Sequence, residues 1–188
     1  MGTPAPDRRI EPRTDQSVFE GLFTNVLKPK GKFVEDLVAV GYDPQHPERT
    51  YPTRIWVNAV KVACRHACPG MPEGEALNRL GRLYIGGFLD TIIGRLIGVS
   101  LQVLGPEAII KRLPRWAAMG ATGIEITLLQ QGPSEWKATW KDAYPLAEFL
   151  TGILQGGGER AGISAVELVG KRPDGFDIVF RTAASRNR

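Results

Sequence analysis

The 188-residue sequence is poor in the side chains that most often do chemistry, with only two cysteines and two histidines. Its five serines (Ser17, Ser100, Ser134, Ser164 and Ser185) stand in no Gly-x-Ser-x-Gly elbow, so a serine-hydrolase nucleophile is not legible. There is no Gly-x-x-x-x-Gly-Lys loop to cradle phosphate. The run Gly156, Gly157, Gly158 lacks the preceding strand and downstream acid of a dinucleotide fingerprint. Paired acids such as Glu73 and Glu75, or Glu20 and Glu35, are scattered as on solvated faces. A non-catalytic protein is therefore expected. Cys64 and Cys68, four apart, do not make a secreted disulfide framework, and a reducing compartment suits them better.

Charge of one sign is also scarce in the body of the chain. Formal net charge is +4, but residues 1–17 and 181–188 hold six Lys and Arg against three acids, so most of the excess lies in the flanks. A nearly neutral body argues against a nucleic-acid surface, which needs basic residues clustered on a folded face. No secretory signal core follows the Met1 segment, and Pro4 and Pro6 break a myristoylation pattern, so the cytoplasm is the expected location. The most apolar run, 84–104, contains Asp90 and Arg95. A charge near a bilayer centre costs about 2.5–3.5 kcal/mol, so this run is read as core and no membrane span is expected.

What is present is core material. Hydrophobic residues make up 43% of the chain, charged ones 23%, enough for one domain to offset chain entropy. A mobile arm is expected over 1–17, one globular domain over 18–182 and a basic tail over 183–188. Residues 18–27 read as strand or short helix, 32–40 as helix, and 42–51 as loop. The clearest helix covers 53–67. There Arg54, Asn58, Lys61 and Arg65 fall within about 60° on a wheel, while Trp56, Val60, Ala63 and Ala67 gather opposite. Further helices are predicted over about 72–86, 89–104 and 107–113. Beyond Pro114 the period shortens, giving strands over 123–130 and 135–141, a helix over 146–155 ended by the glycine run, and strands over 163–169 and 176–182.

The fold class expected is α+β, a helical layer packed on a small antiparallel sheet, with a strand-strand-helix-strand-strand C-terminal half.

Thiolate and imidazole are soft metal ligands, which draws attention to Cys64, His66 and Cys68. On a helix, however, His66 points away from the flank shared by the two cysteines, and two ligands do not close a site. Buried inert thiols and a His66 bonded to backbone or solvent are expected, with no metal.

Glycines at 86, 87, 94 and 98 in a bulky apolar segment are more informative, because each costs a helix roughly 1 kcal/mol. Gly87, Gly94 and Gly98, spaced seven and four apart, are read as lying along one helical face. Such a face fits a close helix crossing, within the domain or across a dimer. It also fits a groove for an apolar ligand lined by Trp56, Val60, Phe88, Ile92, Gly94, Leu96, Gly98 and Trp116, with Arg82 or Arg95 meeting a carboxylate or phosphate head; ion pairing to Asp90 or Glu75, or a stem that simply runs out to solvent, is the alternative for these arginines.

The order of segments 18–23 (VFEGLF), Tyr51-Pro52 with Trp56, 69–82 (PGMPEGEALNRLGR), 85–95 (IGGFLDTIIGR), 104–115 (LGPEAIIKRLPR) and 152–162 resembles a myxobacterial family of single-domain proteins of unknown function. The arrangement of helices before paired hairpins is more distantly similar to the superfamily of four-vinyl-reductase domains, haem-nitric-oxide sensors and transport-particle small subunits. That resemblance implies binding of a small molecule or acyl chain, or dimerisation. The sensors' Tyr-x-Ser-x-Arg clamp has no counterpart after Tyr42, Tyr51, Tyr84 or Tyr144, and no histidine takes a clear proximal position, so no cofactor is expected. The reading is a ligand-binding or sensory module, homodimeric or bound to a protein partner. A scaffold that dimerises through the glycine-bearing helix face is the alternative.

Overall fold

A computed structural model describes residues 11–141 and 146–182, with the side chains of residues 101 and 102 excepted. The chain enters the fold earlier than residue 18. Strand β1 (Arg13–Asp15) pairs antiparallel with β2 (Thr50–Pro52), Thr14 opposite Tyr51. Part of the expected mobile arm, and the end of the expected 42–51 loop, are therefore strand. The reason is polar: Arg13 Nε donates to the Thr50 hydroxyl at 2.8 Å and Nη2 to the Thr50 carbonyl at 2.7 Å. Residues 1–10 of that arm and the tail 183–188 lie outside the described residues.

Asp15 caps α1 (Gln16–Phe19) by accepting from the Ser17 amide at 2.9 Å. The helix widens into a π-helical stretch, Glu20–Leu27, closed by Lys28 at a left-handed φ of 49°. The segment left open between strand and helix is thus helical. Four more helices follow with β2 among them: α2 (Lys32–Ala39), α3 (Thr53–Ala67), α4 (Glu73–Leu89) and α5 (Ile92–Val103).

The expected break near Gly86 falls at residues 90 and 91 instead, where the chain bends by 96°. Thr91 makes this corner, its hydroxyl donating to the Phe88 carbonyl at 2.7 Å while accepting from the Gly94 amide at 3.0 Å. Gly87 lies on α4 and Gly94 and Gly98 on α5, so the three share no face. Among the described residues no single helix is long and apolar enough to cross a membrane.

The helix expected over 107–113 is the shorter α6 (Pro106–Ile110), and a helix that was not expected, α7 (Leu113–Gly120), follows it. Pro114 opens α7 in its first turn rather than ending a helix, since a proline there removes only an amide that has no helical partner. Strands β3 (Glu125–Gly132) and β4 (Glu135–Lys141) form one hairpin, β5 (Ile163–Arg172) and β6 (Gly175–Thr182) the other. They join in an antiparallel sheet of order β3-β4-β6-β5. Alternation in β4 and β6 sets Trp136 opposite Phe180 and Trp140 opposite Phe176, the latter pair stacked at 5.3 Å.

Between the hairpins runs α8 (Ala147–Arg160), which passes straight through Gly156, Gly157 and Gly158. The glycine run does not end the helix because it is packed: a Cβ on Gly156 would stand 2.9 Å from the Ile85 side chain, and one on Gly158 3.2 Å from Ile163. Two glycines outside the expected set make the tightest crossing. A methyl on Gly81 of α4 would collide with the Phe149 carbonyl of α8, and one on Gly152 of α8 with the Asn78 carbonyl of α4. Gly87 similarly abuts the Gly21 carbonyl, whereas Gly86 has open space beside it.

The fold is α+β as expected, with one apolar core among the helices around Trp56 and Phe19 and another under the sheet around Trp140 and Phe180. Two glycine substitutions separate packing from propensity. Gly81→Ala is expected to destabilise by about 1–3 kcal/mol or more, through overpacking. Gly86→Ala is expected to stabilise by about 0.5–1 kcal/mol, through reduced chain entropy. Denaturant midpoints of the two variants check both signs.

Candidate ligand pocket

The two cores leave a cavity of about 190 Å³ between them. The helical wall is Trp56 of α3, Tyr84, Ile85 and Phe88 of α4, and Phe149 of α8. Across from it stand Ile126, Trp140, Ile163 and Phe180 of the sheet. The remaining side is α7, which presents Leu113, Trp116, Ala117 and Gly120, a 3-1-3 spacing that aligns them on one face. None of the residues of α7 is buried, although one face lines the cavity. That wall is thin.

The lining is aliphatic and aromatic. Its polar side-chain atoms belong to Thr14, Tyr84 and the indoles; Lys, Arg, His, Cys, Asp and Glu contribute nothing. Thr14 is 1% exposed and its hydroxyl lies 3.1 Å from that of Thr53, so the one aliphatic hydroxyl at the cavity is already paired. An apolar cavity of about 150 Å³ can stay dry and bind benzene, which sets the scale of what this space accepts.

Of the ten residues singled out from sequence, the structure brings Trp56, Phe88 and Trp116 together here. Val60 is fully buried, but in the helical core. Gly94 abuts the Phe88 carbonyl at the α4–α5 corner, and Gly98 meets only the Leu89 side chain. Ile92 is 83% and Leu96 63% exposed, and Arg95 is exposed as well, so this face of α5 turns to solvent. Ile97 lines the cavity in place of Leu96, one residue and about 100° around the helix. Arg82 lies on the outer side of α4, where Nη1 donates to Glu159 at 2.8 Å rather than to the acids expected. No cation therefore meets an acidic head in the cavity.

Sequence reasoning missed α7 and the sheet wall. The Leu113, Trp116, Ala117, Gly120 spacing was the available signal for α7, obscured by Pro114.

The cysteines and histidines stand elsewhere. Cys64 and Cys68 are buried free thiols, and burial, with a smaller effect of Cys68 beside it, pushes the Cys64 thiol up to about 11. The partner that the structure gives His66 is a carboxylate. Its Nε2 lies 2.8 Å from Asp36 Oδ2 and its ring stacks on Phe33 at 4.5 Å. No three potential ligands converge on a metal position among the described residues. With the Cys64 thiolate fraction suppressed on the order of a hundredfold, alkylation of the native protein at neutral pH should be slow and become fast on unfolding; quantitative rapid labelling of Cys64 in folded protein would contradict this environment.

Solved structures share this fold. An H-NOX mutant from T. tengcongensis is 13% identical, covering 89% of this chain and 96% of that one, with a TM-score of 0.65. An H-NOX mutant from K. algicida, in the Fe(II) unliganded state, is 11% identical over 92% of this chain and 98% of that one, again at 0.65. A structure probing heme distortion in the H-NOX family is 13% identical over 88% and 93%, at 0.66. At such identities the likeness carries the fold alone. Comparison with curated proteins returns no match. The family DUF2378, described as a protein of unknown function, matches residues 13–183, and the chain belongs to that family.

Proposed function

We propose that this protein is a small-molecule-binding domain of sensory type, and that its ligand is a compact, uncharged, apolar molecule held in the cavity behind α7. The observation that carries the reading is the lining itself: a space of about 190 Å³ with no charged side chain, in a fold otherwise used by H-NOX domains. Apolar pockets with few polar groups are the ordinary form of a small-molecule site. The cytoplasmic location belongs to the same proposal and is supported by two free, buried thiols, which suit a reducing compartment.

Haem, which the fold brings to mind, does not fit this site. A porphyrin needs an axial nitrogen, sulfur or phenolate ligand and cations for its propionates. His46 is exposed beside Asp43 and His66 is held by Asp36; neither lines the cavity, and no cysteine or arginine does. Tyr84 is there, but its ring is stacked on Phe88 at 5.3 Å as part of the wall. The volume is also below the roughly 300–1,000 Å³ of sites for drug-sized molecules.

The mechanism follows from α7. A ligand that fills the cavity adds dispersion contacts to Trp116, Ala117 and Leu113 that an empty space withholds. It favours the arrangement in which α7 lies closed on the cavity, by no more than its differential affinity for the two arrangements. The signal is a shift of population, with no bond made or broken.

Two measurements test this. Benzene and small alkanes should raise the thermal midpoint of the purified protein, while haem added to it should produce no Soret shift; the reverse pair of results would refute the reading. Ala117→Trp should fill the cavity and abolish the rise given by the same probes. If that variant keeps its fold and the probes still stabilise it as before, the ligand is elsewhere.

A further inference from the structure

The face of α5 turned to solvent is the most unusual surface of the molecule. Nine large apolar side chains are exposed among the described residues, and four of them lie on this one helix: Ile92 at 83%, Leu96 at 63%, Val99 at 65% and Val103 at 78%. The other five are divided among α2, α4, α7, β3 and β5, as single exposed apolar residues ordinarily are. The α5 spacing of four, three and four is the seam of a helix pair. At roughly 100 Å² of apolar surface per exposed aliphatic side chain, the stripe amounts to about 300 Å², within the range of the largest apolar patch on a monomer, which is often functional.

From this geometry we infer that α5 is the seam of a two-fold homodimer in which the α5 helices of two copies pack antiparallel. The spacing reads the same in both directions about a midpoint between Ile97 and Gly98. Ile92 of one copy therefore meets Val103 of the other, and Leu96 meets Val99. A surface that is its own complement is what a closed two-fold interface needs. The antiparallel sense also opposes the two helix dipoles and displaces the two Arg95 side chains by about five residues, or 7.5 Å, along the axis. A parallel seam would set the two arginines at the same height.

The stripe alone would remove on the order of 600 Å² from water in the pair, before the polar rim that brings specific interfaces to about 1,000 Å² or more.

Other occupants fit less well. Residues 1–10, 142–145 and 183–188 offer Met1, Ile10 and Tyr144 as their only large apolar side chains, too few to cover four aliphatic positions. A membrane-surface helix carries basic residues along its polar face, and α5 has Arg95 alone. The seam differs from the dimer expected from sequence, because Gly94 and Gly98 are taken up by contacts within the chain and the bulky residues beside them do the work. It does not depend on the cavity being a ligand site.

Sedimentation equilibrium of the full chain over a range of concentrations tests the inference. Wild type is expected to pass from monomer to dimer, and Leu96→Glu and Val99→Lys are each expected to weaken association by about tenfold or more with unchanged far-UV circular dichroism. Mixing the two variants should restore a heterodimer, because an antiparallel seam sets Glu at 96 against Lys at 99; a parallel one does not. Should Leu96→Glu fail to fold, Leu96→Ser carries the same comparison. A wild type that stays monomeric, a Leu96 variant that still dimerises, or a mixture that does not associate would each overturn the seam. So would a monomer that binds anionic phosphatidylserine vesicles through the same four residues.

Discussion

The structure depends on one contact, the mutual approach of α4 and α8 at Gly81 and Gly152. Each glycine leaves room for a backbone carbonyl of the other helix, so the two main chains touch without side chains between them. This closeness brings α8 near enough for its opposite face to reach the sheet, and for Phe149 to join Trp56 and Tyr84 in one aromatic cluster. Gly87 repeats the device about one and two-thirds turns on, against the π-helical segment. With α4 clamped on two sides, the space between the helical layer and the sheet is determined, and the cavity is what the side chains of that layer leave unfilled.

The sequence was most legible where period and punctuation agree. The strands came from alternation, as in Glu135–Lys141, and α3 from a polar stripe of Arg54, Asn58 and Arg65 that the structure leaves in solvent. It was least legible where a residue has two roles. Pro114 starts a helix as readily as it ends one, and glycines terminate helices unless something presses on them, as Ile85 and Ile163 press on α8. Neither ambiguity resolves without the neighbour in three dimensions.

Three of the candidate site residues reach the cavity, all aromatic, because large rings supply much of the apolar surface from which a core is built. The error over α5 was one of rotation. An apolar helix with few charges does not declare which face is inside, and Ile97 rather than Leu96 turned inward.

That rotation gives α5 a position of interest. Ile97 lines the cavity and Leu96 and Val99 stand outward, so one short helix joins the ligand pocket proposed above to the seam proposed above. Coupling between them requires only that the two occupants favour different settings of the same helix, and thermodynamic linkage then works equally in both directions.

The N-terminal strand has a role out of proportion to its length. Beyond its pairing with β2, Thr14 bridges to Ala121, the Thr122 amide donates to the Arg13 carbonyl at 2.7 Å, and the Arg13 amide donates to the Thr122 hydroxyl at 2.9 Å. Arg13 and Thr14 thus fasten the far end of α7, a helix with no buried residue of its own, to the body of the protein. Whatever pulls on the segment ahead of Arg13, whether a bound partner or a protease, therefore has mechanical purchase on one wall of the cavity without ever touching its contents.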